Sequence, residues 1–120
     1  MNQQRGYMNF GKNKTNMVYV VDIDGTICSN TNGDYEKAVP YGDVIKKINH
    51  LYNSGNTIKM MTARGTTTGI DWTELTKNQL ESWGVRHHEL IMNKKPSADV
   101  YIDDKAINAA AFRLLDFGEK

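Results

Sequence analysis

The chain has 120 residues, of which 39% are hydrophobic and 24% charged, with a formal net charge of +1. This balance is typical of one soluble globular domain, and the scattered charge gives no electrostatic case for a nucleic-acid or membrane partner. A single cysteine, no apolar run long enough to span a membrane and no signal-peptide pattern together predict a cytoplasmic protein.

The first predicted strand follows a polar leader. Residues 1–16 show no hydrophobic periodicity and are expected to be mobile, and residues 17–120 are expected to form the single domain. The apolar, mostly β-branched run 18–21 stops at Asp22, which is typical of a strand covered on both faces in a parallel sheet. Asp22 and Asp24 then lie just past its carboxyl end, where open α/β sheets bind their ligands.

A helix and a second strand follow. Asp43 is a candidate N-cap, Gly55 is well placed to end the helix, and the apolar positions between them share one helical face. These positions are Val44, Ile45, Ile48, Leu51 and Tyr52. The short apolar run 58–61 then predicts a second strand, which stops at Thr62.

The second half of the chain repeats this alternation. Asp71 and Glu74 stand at capping-box spacing, which predicts a helix from Asp71 to Gly84. The side chains predicted to face inward from it are Trp72, Leu75 and Trp83. Strands are predicted at 90–92 and 100–102, followed by a last amphipathic helix. Strands that alternate with helices predict an α/β domain with a central parallel sheet.

Polar side chains follow three of the four predicted strands. Asp22, Thr62 and Asp103 come directly after a strand, and Lys95 lies in the loop between the last two strands. In a parallel sheet these residues converge on one edge, where the carboxylates are Asp22, Asp24, Asp103 and Asp104. Carboxylates so close together repel unless a cation or a shared proton compensates them. Oxygen ligands of this kind suit Mg²⁺, and the lysine and hydroxyl suit phosphate oxygens.

These motifs resemble those of the haloacid dehalogenase superfamily. In order, they are Asp22-x-Asp24-Gly25-Thr26, Thr62, Lys95-Pro96 and Asp103-Asp104. The stretches 32–35, 62–65, 69–72 and 95–104 are further similar to a small branch labelled capsular polysaccharide biosynthesis phosphatases. The resemblance implies a three-layer Rossmann-like fold. It also implies a Mg²⁺-dependent phosphomonoesterase that acts through an aspartyl-phosphate on a sugar phosphate or similar small phosphorylated metabolite.

The resemblance gives each motif residue a role. Asp22 is the nucleophile, and Asp24 is the acid that protonates the leaving oxygen and later activates water. Thr62 hydrogen-bonds the transferring phosphoryl group, and Lys95 neutralises charge on the nucleophile and the phosphate. The substrate-binding residues are Thr62, Ala63, Arg64 and Lys95. For Arg64 itself, a grip on substrate and a surface salt bridge are equally open.

The implied cofactor, Mg²⁺, aligns the phosphate and neutralises its charge. Its implied ligands are Asp22, the main-chain carbonyl of Asp24, and Asp103. Asp104 either assists, directly or through water, or caps the last helix.

Larger members of the superfamily carry a cap domain over the site. Residues 27–42 are too short for a globular cap, and one helix and one strand fill the interval from Thr62 to Lys95. The chain therefore resembles a capless enzyme with an open pocket. Residues 30–35, the loop 64–69 or a second copy of the chain in a homo-oligomer are the candidates to cover it.

Other functions and plainer residue roles remain open. The same chemistry fits a nucleotide or polynucleotide phosphatase, although polynucleotide binders usually show a basic stripe that this chain lacks. A non-enzymatic phospho-acceptor domain, similar to bacterial response-regulator receivers, also gathers Asp, Thr and Lys at strand ends. Cys28 lacks an obvious activating partner, and His87 and His88, as neighbours with opposite orientations, are expected at the surface.

Overall fold

A computed structural model of the chain describes residues 16–93 and 98–102. Lys95, Asp103 and Asp104, the predicted last helix and the leader up to residue 15 lie outside the described residues. No helix in the described part of the chain is both long and apolar enough to cross a membrane.

Four strands form one all-parallel sheet in the order β3-β2-β1-β4. Their bounds are Val18–Asp22 for β1, Thr57–Thr62 for β2, Glu89–Met92 for β3 and Val100–Ile102 for β4. The three middle residues of β1 are buried, as the unbroken apolar run predicts for a strand between two neighbours. The predicted parallel sheet is confirmed.

Two α-helices connect the first three strands. Helix α1 spans Gly42–Asn53 and α2 spans Thr73–Ser82, and a short 3-10 helix, Tyr35–Lys37, precedes α1. The predicted apolar face of α1 is buried in the core from Val44 to Leu51. The described residues therefore form a Rossmann-like α/β fold, in which strands and helices alternate along the chain.

Both helix starts differ from the prediction. Helix α1 begins at Gly42 with Tyr41 at the N-cap position, so Asp43 is not the cap; it lies in the first turn, where its charge still favours the helix dipole. Helix α2 begins at Thr73, and the predicted start at Asp71 is wrong. The Asp71 Oδ1 atom accepts a hydrogen bond from the Thr73 N–H at 3.0 Å, which forms a turn ahead of the helix.

The inward face of α2 also differs from the prediction. Its buried residues are Thr76 and Leu80, whereas all three predicted inward side chains are half-buried. Trp83 packs against the core. Trp72 instead contacts Tyr35 edge to face, with ring centroids 5.0 Å apart.

The strand register brings the carboxyl ends of β1, β2 and β4 to one level. Asp22 pairs with Met61, and Val21 pairs with both Met60 and Ile102. The loops that follow these strands therefore leave the same edge of the sheet, which is where ligands bind in folds of this kind.

Candidate active site

Asp22 and Asp24 lie at the carboxyl end of β1 and line one pocket of about 450 Å³, here called the acidic pocket. The chain turns directly after them at Gly25, whose φ of +84° is a conformation that glycine adopts without steric cost. The turn is closed by a 2.9 Å hydrogen bond from the Gly25 N–H to the Cys28 carbonyl. Ala63 and Arg64, from the loop after β2, line the opposite wall.

Arg64 forms a two-pronged ion pair with Asp24. Its Nε and Nη2 atoms donate to Oδ2 and Oδ1 of Asp24, each at 2.9 Å. Arg64 is only 1% exposed. The expected alternative of a surface salt bridge is therefore wrong. This paired geometry fixes the orientation of the Asp24 carboxylate as well as compensating its charge.

The other side of the guanidinium is held by helix α2. The Nη1 atom of Arg64 donates to the Thr76 hydroxyl at 3.0 Å and to Gln79 Oε1 at 2.6 Å. Its carbon atom lies 4.6 Å from the centre of the Tyr35 ring. These contacts satisfy most of the donors of a charge taken out of water, which a buried ion pair requires to be tolerated.

Thr62 and Cys28 flank the acidic pocket from inside the protein. Thr62 is buried, and its hydroxyl oxygen accepts a 3.0 Å hydrogen bond from the Arg64 N–H, so it orients the start of the loop. Burial, together with the nearby Asp24 charge, raises the pKa of the Cys28 thiol to about 12. This thiol is protonated at neutral pH, in agreement with the expectation that it is not a nucleophile.

The described residues unite only part of the predicted site. Asp22, Asp24, Ala63 and Arg64 line one pocket, and Thr62 lies directly behind it. His87 and His88 precede β3 at the opposite edge of the sheet, where the His88 Nδ1 atom accepts a hydrogen bond from the Ile58 N–H. The predicted residues Lys95, Asp103 and Asp104 lie outside the described residues.

Thr76 and Gln79 have functional contacts that the sequence interpretation missed. A polar pair three residues apart on the inward side of α2 was the available signal, because a buried polar side chain needs a hydrogen-bond partner.

The donor chemistry of the acidic pocket fits a hard divalent cation. Mg²⁺ is commonly bound by one or two carboxylates, completed by water and phosphate oxygens. Within residues 16–93 and 98–102 no group of three or more His, Cys, Asp or Glu could hold a metal. Both Asp24 carboxylate oxygens accept from Arg64.

Comparison with known proteins supports the fold alone. No protein-family model matches the chain, and no curated protein matches it significantly. Among solved structures, it is similar to a crystal structure of an MCSG target from Vibrio cholerae, with 25% sequence identity and a TM-score of 0.68. The similarity covers 83% of this chain and 89% of that one, and the name of that protein states no activity. The likeness is consistent with a Rossmann-like α/β fold.

Proposed function

We propose that the protein is a capless phosphatase of the haloacid dehalogenase type, which hydrolyses small phosphate monoesters such as sugar phosphates with the help of Mg²⁺. The observation that carries the proposal is the placement of Asp22 and Asp24 in one pocket at the carboxyl end of β1, with Asp24 held from behind by Arg64. Asp24 is 19% exposed, so it faces the pocket while its orientation is fixed.

The proposed reaction has two steps, each using both aspartates. In the first, an Asp22 carboxylate oxygen attacks phosphorus, the bond to the ester oxygen breaks, and Asp24 gives that oxygen its proton. In the second, Asp24 takes a proton from water as the water oxygen attacks the same phosphorus. Asp22 is then restored and inorganic phosphate leaves.

The Asp24 carboxylate can bind Arg64 and still move a proton. Each carboxylate oxygen has two lone pairs, and the guanidinium uses one on each. The Cys28 thiol donates to Oδ1 at 3.7 Å, so the second lone pair of Oδ2 is the one left to move the proton. Arg64 thus acts as a positioning residue for the proposed acid.

Several residues complete the proposed site. Mg²⁺ would be held by Asp22, the main-chain carbonyl of Asp24, and Asp103, and when bound it neutralises and aligns the phosphate. Asp104 would assist it. Lys95 would balance charge on the phosphate, and the Thr62 hydroxyl would donate a hydrogen bond to a phosphoryl oxygen.

No globular cap stands over the acidic pocket in the described residues. The connection between β1 and α1 contains only a three-residue 3-10 helix and the bridges that pair Cys28 with Asp24 and Pro40. Access to the pocket then depends on short loops, which fits the capless architecture proposed here.

The proposal is tested by phosphate release from a panel of sugar phosphates, nucleotides, phosphorylated oligonucleotides and acetyl phosphate. The assay is run with Mg²⁺ and with a chelator. We expect Mg²⁺-dependent release from sugar phosphates that Asp22→Asn abolishes. Full activity in Asp22→Asn, or no release from any member of the panel, contradicts the proposal. Release from oligonucleotides alone supports a polynucleotide phosphatase instead.

A further inference from the structure

A second depression adjoins the acidic pocket and has a different character. It has a volume of about 150 Å³, and its walls include Tyr35, Thr68, Ile70 and Trp72, which together are called the annex groove here. Tyr35, Thr68 and the backbone around Ala63 also line the acidic pocket. The two spaces therefore adjoin along these shared residues.

The annex groove contains no charged side chain among its described lining residues. Tyr35 and Trp72 form one wall, with their rings nearly perpendicular at 80°. Ile70 is 53% exposed, although it stands beside these two aromatic rings. An apolar wall with a few hydroxyl groups is the usual composition of a site for a small organic group.

Among the described residues, Arg64 is a positive charge beside the annex groove, and it is already engaged. Arg64 lies against the Tyr35 ring at 4.6 Å, but its guanidinium binds Asp24. An anionic group in the annex groove would lose its hydration without gaining an ionic partner among the described lining residues, which is costly.

The loop that forms the annex groove is anchored at both ends. The Gly69 N–H donates to the Gly65 carbonyl at 2.8 Å, and the Thr66 hydroxyl donates to Asn93 Oδ1, beyond β3, at 2.6 Å. A Cβ atom on Gly65 would lie 2.1 Å from the Ile70 carbonyl oxygen. This close approach holds the Ile70 backbone against Gly65, so the loop has little room to shift there.

We propose that the annex groove is the leaving-group subsite and takes a single uncharged ring of the phosphate ester. This inference rests on the proposed phosphatase function. The volume equals that of about five water molecules in the liquid, which is room for one ring and too small for a nucleoside.

Four probes test the subsite through their kcat/KM values. Acetyl phosphate has no ring, glucose 1-phosphate has a ring on the ester oxygen, glucose 1,6-bisphosphate adds a second, charged phosphate group on that ring, and adenosine 5′-monophosphate adds a base. The key variant is Ile70→Glu. Its matched control is Val39→Glu, because Val39 is equally apolar, 61% exposed and not part of either space.

We expect Ile70→Glu to lower kcat/KM for glucose 1-phosphate by about tenfold, the size of a small apolar contact in a binding pocket, and to leave acetyl phosphate unchanged. Val39→Glu should affect neither. In the parent protein, glucose 1-phosphate should be the best of the three ring-bearing probes. Equal effects of both variants, an unchanged preference in Ile70→Glu, or adenosine 5′-monophosphate as the best probe would each overturn the inference.

Binding is measured separately from turnover, so that the two proposals fail in different ways. Trp72 and Trp83 are the chain's two tryptophans. The double variant Asp22→Asn/Trp83→Phe leaves Trp72 as the fluorescent reporter, and glucose 1-phosphate should change its emission where acetyl phosphate does not. If the parent protein hydrolyses acetyl phosphate but glucose 1-phosphate leaves the Trp72 emission of the double variant unchanged, the subsite alone is overturned. If glucose 1-phosphate changes the Trp72 emission but the parent protein hydrolyses none of the probes, the phosphatase function alone is overturned.

Discussion

The loops after β1 and after β2, both at the carboxyl edge of the sheet, are held by different balances of backbone and side-chain contacts. The loop after β1 is closed by its own backbone, through the Asp24–Cys28 and Cys28–Pro40 bridges and a 2.8 Å bond from the Tyr41 N–H to the Ile27 carbonyl. The loop after β2 depends on side chains that reach other elements. Arg64 reaches Asp24 and α2, and Thr66 reaches Asn93.

This difference shows how the protein tolerates its acidic cluster. Closely spaced carboxylates require compensation, and from the sequence a divalent cation is the expected source. For Asp24 the structure provides an internal cation, Arg64, from 40 residues away. The backbone-closed loop therefore carries the proposed reacting groups, and the side-chain-anchored loop carries the charge that orients one of them.

The largest expected effect on the first loop is that of Asp22→Asn. The amide cannot form the proposed aspartyl-phosphate, so phosphate release should fall to the uncatalysed background. The substitution is nearly isosteric, and the melting temperature should change little. A variant that retains most of its turnover would end the covalent mechanism.

The link between the two loops is tested by a double-mutant cycle on Asp24 and Arg64. Asp24→Asn should lower turnover by about 10²–10⁴-fold. It should also lower the free energy of unfolding by about 3–5 kcal/mol, because it leaves a buried guanidinium without its counter-charge.

The cycle is completed by Arg64→Gln and by the double variant, measured in urea. The double variant should regain part of the lost stability and none of the turnover. Additive losses would show that the pair is not coupled. Asp34→Asn is the matched control, since Asp34 forms an exposed pair with Lys37 at 3.1 Å and should cost less than about 1 kcal/mol.

A smaller effect distinguishes two glycines of the second loop. Gly65 and Gly69 have φ values of +87° and +77°, but only at Gly65 would a Cβ atom meet the Ile70 backbone. Gly69→Ala should cost about 1–2 kcal/mol from the left-handed conformation alone. Gly65→Ala should cost about 1–3 kcal/mol more through the clash, read from urea unfolding. Equal losses would mean that the close approach to Ile70 does not constrain the loop.

The smallest effect concerns the end of the second loop. Hydrogen bonds from the Thr73 side chain and N–H hold the pKa of Asp71 below its ordinary value. A pKa that is lower in the folded state stabilises the protein at any pH above the pKa of the unfolded chain, about 3.9. This stabilisation is lost as the pH falls through the pKa of the folded state. Asp71→Ala should therefore lower the melting temperature slightly at pH 7.

The Asp71 effect has its own controls. The difference in melting temperature between Asp71→Ala and the parent protein should be smaller at pH 2 than at pH 7, because the Asp71 charge no longer contributes. Asp71→Asn, which keeps an oxygen acceptor for the Thr73 N–H, should lie between the parent and Asp71→Ala. A pH-independent difference between the parent and Asp71→Asn would assign the effect to shape instead of charge.

The sheet was predictable because its signal is local. The apolar runs that stop at Asp22 and Thr62 are strands of the observed sheet, and alternation with helices indicated parallel pairing. The helix starts were less predictable, because an aspartate near a helix can cap it, charge its first turn or form a separate turn. Asp43 does the second and Asp71 the third.

The site was predictable only as far as the strand ends determine it. The meeting of Asp22 and Asp24 in one pocket follows from their position after β1. The burial of Arg64 does not follow from its neighbours, because it depends on Thr76 and Gln79 offering acceptors from α2. Such long-range pairing has no signature in local spacing, so the sequence suggests only an exposed or substrate-facing arginine.

Gln79 uses both ends of one amide. Its Oε1 atom accepts from Arg64, and its Nε2 atom donates to the Tyr35 carbonyl at 2.7 Å. A flipped amide would set donor against donor at Arg64 and acceptor against acceptor at Tyr35, so the two contacts form or break together. Evolution of a new substrate range by change at Gln79 would then disturb the proposed acid as well. Substitutions at Thr67, Thr68 and Ile70 would disturb the proposed acid less, because no hydrogen bond in the described residues connects these three to Arg64.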